Sequence, residues 1–145
     1  MKSVQKALKR RADGEKGFTL IELLVVVIIL GILAAIAVPI YLNQRKSAWN
    51  ATTESDVKNA SLVVESAASA AGGDYSSITW PTSCTAAGCT LTAGGESYNI
   101  TVSKNVTLTF PSHDKDGYEI QGTNSSATGL KTFTYSSATG KVSRS

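Results

Sequence analysis

Three groups of residues have types and spacings that suit chemistry: an acid set against a hydrophobic run, a pair of cysteines, and a histidine among carboxylates. The first is the most informative. Glu22 directly precedes Leu23 to Leu42, twenty consecutive residues without a charge. A carboxylate at the centre of a membrane-spanning helix costs about 2.5 to 3.5 kcal/mol on insertion scales, and less near the interface, so Glu22 calls for a cationic partner. Just upstream the chain reads Lys16-Gly17-Phe18-Thr19-Leu20-Ile21. A cut after Gly17 would create an α-amino group on Phe18, four residues and about 6 Å of helix from Glu22. One end of one helix would then hold a cation and an anion that neighbouring copies can exchange.

Cys84 and Cys89 enclose four residues, which is not the Cys-x-x-Cys spacing of a redox centre or a zinc knuckle. With a single histidine in the chain, no metal quartet can be assembled. A local disulfide is expected, in a loop between helix and sheet, contributing roughly 2 kcal/mol and stiffening Trp80-Pro81. His113 lies beside Asp114 and Asp116 in a stretch ending at Gly117, where a polar turn accounts for the residues better than a general base does. The Asp114-x-Asp116-Gly117 fragment hints at calcium but lacks the remaining oxygen ligands of a full loop. No catalytic residue, metal or cofactor is expected, and the chain reads as a structural protein rather than an enzyme. Asn50, Asn59, Asn99, Asn105 and Asn124 each begin an Asn-x-Ser/Thr triplet, as a composition rich in Ser and Thr produces by itself.

These residues need elements to position them. At about 1.5 Å per residue the uncharged run makes a helix of roughly 30 Å, the thickness of a bilayer's hydrocarbon core. Gly31 and Pro39 are its weak points, Gly at about 1 kcal/mol relative to Ala and Pro through a lost backbone hydrogen bond that should bend the helix. Beyond it, residues 43–71 contain no Pro or Gly and end at Gly72-Gly73, a helix stop. Trp49, Thr53, Val57, Ala60, Val64, Ala67 and Ala71 recur at helical spacing and draw one weakly apolar stripe, with Glu54, Lys58 and Ser61 on the solvated or inter-subunit side.

After Gly72 the period changes. Tyr98, Ile100 and Val102 alternate with polar residues, as do Val106, Leu108 and Phe110, then Tyr118 and Ile120, then Phe133 and Tyr135, with Val142 near the end. Turn signals lie at Lys104-Asn105, Asp116-Gly117, Gly122 to Gly129 and Ala138-Thr139-Gly140. Three to five short strands in one antiparallel sheet, packed on the helix stripe, give an α+β fold. The expected divisions are residues 1–17, 18–42, 43–71 and 72–145.

The 145 residues carry a formal charge of +3, but Lys2, Lys6, Lys9, Arg10, Arg11 and Lys16 against Asp13 and Glu15 put +4 on residues 1–17 and leave −1 on the rest. The basic character therefore belongs to the first segment and reads as a topogenic signal, with the N-terminus inside and everything after Leu42 outside. Nucleic-acid binding is unsupported, since no basic, aromatic-interleaved patch follows. Arg45 and Lys46, on the outer side, are suited to facing acidic residues of a neighbouring subunit or to plain solvation.

The basic leader, Gly17, Phe18, Glu22 and the run carrying Gly31 and Pro39 resemble the class III signal of type IV pilins and of the related type II secretion pseudopilins. The resemblance covers about Lys16 to Arg45. It implies cleavage between Gly17 and Phe18 by an inner-membrane prepilin peptidase, N-methylation of Phe18, storage as a single-pass precursor in the inner or cytoplasmic membrane, and assembly into an extracellular helical filament by the pilus machinery. Glu22 would act in assembly, and the stretch from Gly31 to Pro39 would let the filament extend. The implied roles are adhesion, motility or DNA uptake. A disulfide near Cys84 and Cys89 departs from the common pilin pattern of a C-terminal disulfide loop, so no receptor-binding role is carried over from that loop. The alternatives are a pseudopilin of a secretion or competence system and a membrane-anchored surface protein that never polymerises. A secretory signal cut after Ala35-Ile36-Ala37 is the plain competitor, and it leaves Glu22 without a reason.

Overall fold

The computed structural model describes residues 19–145; Gly17, Phe18 and the rest of the basic segment lie outside them. One helix, α1 (Leu20–Ala70), opens the described chain and continues through both Gly31 and Pro39. It is closed by a Schellman motif: Gly73 N–H donates to Ala68 O at 2.7 Å and Gly72 N–H to Ser69 O at 3.3 Å. Gly72 takes φ 72°, the left-handed conformation this motif requires. A 3-10 turn follows at Tyr75–Ser77, capped by Asp74, whose carboxylate is held below its ordinary pKa by hydrogen bonds from the side chain and backbone of Ser76.

Seven strands come next: β1 (Ser83–Cys84), β2 (Cys89–Ala93), β3 (Glu96–Ile100), β4 (Val106–His113), β5 (Tyr118–Asn124), β6 (Phe133–Ser136) and β7 (Lys141–Arg144). They form two antiparallel sheets, a five-stranded one in the order β1-β4-β5-β6-β7 and a β2-β3 hairpin. The fold is α+β, a long N-terminal helix packed on an antiparallel sheet. The strand count exceeds the sequence expectation for two reasons. The apolar positions of β2, Leu91 and Ala93, are few, and β1 is only two residues long. The hairpin turn itself is a two-residue Gly94-Gly95 loop with both residues at positive φ, 59° and 82°, as a type I′ turn demands.

The chain divides into two compact units after Asn43. In the first, α1 has no buried residue, and its large apolar side chains range from Val26 at 46% to Leu20 at 87% exposed. In the second, α1 buries Thr53, Asp56, Val57, Ala60, Ser61, Val64, Ala67 and Ala68. The expected stripe is present through Thr53 to Ala67, whereas its ends, Trp49 and Ala71, are half-buried. Ser61 corrects the expectation of a solvated residue: it is buried, its hydroxyl donates to Lys58 O at 2.6 Å, and its own carbonyl accepts from the Tyr118 hydroxyl. Short side chains are the ones that can satisfy themselves on their own helix while facing a sheet.

The sheet face towards the helix carries Val106, Leu108, Phe110, Tyr118, Ile120 and Phe133, all buried. A second correction concerns Gly122, which is not the start of a turn but an interior, buried residue of β5. Strand β4 slips register between Thr109 and Ser112, and Pro111 sits at that bulge, where its missing N–H breaks no ladder bond.

Candidate assembly site

Thr19 and Glu22 are joined reciprocally at the head of α1. Glu22 N–H donates to Thr19 Oγ1 at 3.2 Å, and Thr19 N–H donates to Glu22 Oε2 at 3.4 Å. This is a capping box, which satisfies two of the backbone donors that a helix start leaves unpaired. A carboxylate in the first turn also faces the positive end of the helix dipole. The Thr-x-x-Glu spacing was legible in the sequence, and it gives Glu22 a local role beside the assembly role implied by the resemblance. The long Thr19 bond engages one carboxylate oxygen, and Oε1 takes none of the hydrogen bonds formed among the described residues.

Behind the cap the apolar run is bare on all sides. Seventeen large apolar residues between Leu20 and Leu42 are exposed, a surface far beyond what a soluble monomer leaves to water. Length and composition make this helix fit to cross a membrane. A β-carbon at Gly31 would meet nothing within 4 Å, so nothing among the described residues requires glycine there. Pro39 removes one backbone donor from the helix without ending it.

In the second unit the disulfide between Cys84 and Cys89 is present, with Cα atoms 5.2 Å apart. Its placement differs from the sequence expectation: Cys84 belongs to β1 and Cys89 opens β2, so the bond ties the edge of the large sheet to the hairpin rather than bracing a free loop. Strand β1 escaped notice because two residues carry no periodicity.

His113 ends β4, and its ring stacks on Trp80 with centroids 4.8 Å apart. Asp114 Oδ1 accepts from the backbone N–H of Asp116 and Gly117 at 2.8 and 2.9 Å, which makes the acidic stretch the turn between β4 and β5. Among the described residues no group of three or more His, Cys, Asp or Glu is placed to hold a metal.

Sequence reasoning missed a polar hub on the helix. Glu65 accepts hydroxyl hydrogen bonds from Tyr118 at 2.8 Å and from Tyr75 at 3.3 Å. Burial first, and the Glu65 carboxylate second, push the Tyr118 hydroxyl's pKa far above the ordinary tyrosine value; the same two causes raise Tyr75. No single-sequence signal pairs a glutamate with tyrosines 10 and 53 residues away.

Residues 13–38 match the family model described as the prokaryotic N-terminal methylation motif. Over 75 residues the chain is 41% identical to a fimbrial protein of Neisseria meningitidis serogroup A / serotype 4A (strain DSM 15465 / Z2491), a match covering 51% of this chain and 40% of that protein. The match thus spans less than half the length of that relative. No solved structure matches the chain significantly. The motif falls on the segment whose bare apolar surface needs other chains or lipid to cover it, and the motif together with the fimbrial relative makes this chain similar to type IV pilin-like proteins over that part of its length.

Proposed function

We propose that this protein is a subunit, in the major role, of an extracellular type IV pilus. It is inserted with its N-terminus inside the inner or cytoplasmic membrane, cut between Gly17 and Phe18, methylated on the Phe18 amine by the prepilin peptidase, and polymerised by the pilus machinery through α1. The observation that carries this reading is the wholly exposed apolar half of α1 with an acid at its head. Lipid covers that surface in the precursor and neighbouring helices cover it in the filament, so assembly exchanges one apolar environment for another. Glu22 then pairs with the Phe18 amine of an adjacent subunit and sets axial register. The fimbrial name of the Neisseria relative favours this reading over a secretion pseudopilin.

The test separates register from capping. Glutamine preserves a capping-box acceptor at this position and removes the charge, whereas alanine removes both. We expect Glu22→Gln and Glu22→Ala to be cleaved and inserted alike, and both to lower the yield of sheared filaments at least tenfold. Filament yield from Glu22→Gln equal to the wild type would show that the cap, not the charge, is what Glu22 supplies. A mature protein retained in the membrane, with no filaments from the wild-type chain in piliated cells, would overturn the pilus reading.

A further inference from the structure

The ionisable side chains of α1 are nearly all matched within the chain. Lys58 Nζ lies 3.2 Å from Glu54 Oε1, the Arg45 guanidinium stands 4.8 Å from the centre of the Trp49 ring, Glu65 takes two tyrosine hydroxyls and Glu22 caps the helix. One cation and one anion are left over. Lys46 is exposed and has no partner among the described residues. Asp56 is 7% exposed, and its two oxygens accept only neutral donors, Ser103 N–H at 2.9 Å and Ser103 Oγ at 3.0 Å.

Asp56 lines a cavity of about 300 Å³ together with Asn59, Asn99, Thr101 and Ser103. Apolar Ala60, Val63, Ile100 and Val102 complete the lining, so the Asp56 carboxylate is its one acidic group, and no cation among the described residues lines it. A buried carboxylate without a counter-charge is costly, and each carboxylate oxygen can accept a further hydrogen bond. An ammonium group, a compact charge with three donors on a flexible stem, suits such a cavity.

Lys46 cannot reach Asp56 within one chain, because ten residues of helix separate them by about 15 Å. Two parallel copies of α1 staggered by those ten residues bring Lys46 of one beside Asp56 of the other. We propose that the Asp56 cavity is a subunit-docking site that receives the Lys46 ammonium of a second copy of this chain. The contact joins two different patches of the same protein, so it is head-to-tail and repeats along an open helical array. The proposal rests on the filament reading and adds to it a named contact and its stagger.

The experiment uses full-length chain in filament-forming cells. Ser47→Cys, beside Lys46, and Asn59→Cys, both at exposed positions, are combined so that the Lys46 ammonium is kept, and sheared filaments are treated with a short bis-maleimide. We expect a ladder of dimers and higher species from the double variant and none from either single variant or from Ser47→Cys with Ser143→Cys on β7. Filaments of normal yield without a ladder, or with an equal ladder from the Ser143 control, would overturn the docking site while leaving the pilin reading intact. In parallel, Lys46→Glu should be processed and inserted normally but reduce filament yield at least tenfold, with Lys46→Arg close to wild type. Wild-type yield from Lys46→Glu would refute the contact. Loss of filaments from the unmodified chain would remove both readings together.

Discussion

At Gly122 a β-carbon would lie 2.5 Å from Cγ2 of Val57, 3.1 Å from Cγ2 of Thr53 and 3.2 Å from Cδ2 of Leu108. Helix and sheet touch there through the absence of a side chain, and the branched residues facing it have little room to yield. We expect Gly122→Ala to destabilise the folded chain by about 1 to 3 kcal/mol, the usual range for overpacking, as a lowered melting temperature in detergent. Val57→Ala in the same chain should recover part of the loss, since the two changes share one space. In the N-terminal segment of the sequence, a bulky residue at Gly17 should block processing if the peptidase must fit closely around that position. Intact mass measurement would then find the leader retained, and an unchanged mature mass would refute the assignment.

At the scale of elements, the hairpin β2-β3 buries Leu91, Ala93 and Ile100 in the core and is tied to the rest by three further contacts. The Cys84–Cys89 bond ties its start to β1, Thr79 and Thr92 exchange backbone hydrogen bonds at 2.8 and 3.3 Å, and the Gly94 turn approaches the end of α1, where a β-carbon would meet Ala70 O at 2.9 Å. Strands β4 and β5 are instead anchored under the helix, where Asn124 Nδ2 donates to Trp49 O at 3.3 Å and to Thr53 Oγ1 at 3.2 Å, and Tyr118 reaches Glu65. Reducing the disulfide should therefore cost about 2 kcal/mol and act locally. Hydrogen exchange should rise in Cys89–Ile100 and stay near its oxidised level in Val106–Asn124. Uniform loss of protection would mean that the bond holds the whole sheet.

At the scale of the whole molecule, the Tyr118 hydroxyl couples folding to pH. Its pKa is raised on folding, so the protonated form is favoured in the folded state, and the stabilisation is complete below the ordinary tyrosine value of 10.0. It is lost progressively as pH rises beyond that value, because the unfolded chain ionises first. Melting temperatures of the full chain in detergent should fall above about pH 10, and Tyr118→Phe should flatten that fall.

What the sequence determined by itself is local in origin. The twenty-residue uncharged run and the Thr19-x-x-Glu22 box, the period of Thr53 to Ala67, the glycine stop after Ala70 and the alternation of Val106 to Phe110 each arise from neighbours a few residues apart, where helical and strand geometry act directly. The tertiary structure decided what depends on residues far apart in the chain. It buried Ser61, which read as surface, by placing Tyr118 against it, and it buried Asp56 against Ser103. It turned Gly122 from a turn signal into a point of close helix–sheet approach, and it made strands of the two cysteine positions by pairing Ser83–Cys84 with Leu108–Thr109 and Cys89 with Ile100. A polar or small residue has no fixed side of its own; its burial follows from the partner that folding brings to it, and that partner is not written in the local pattern.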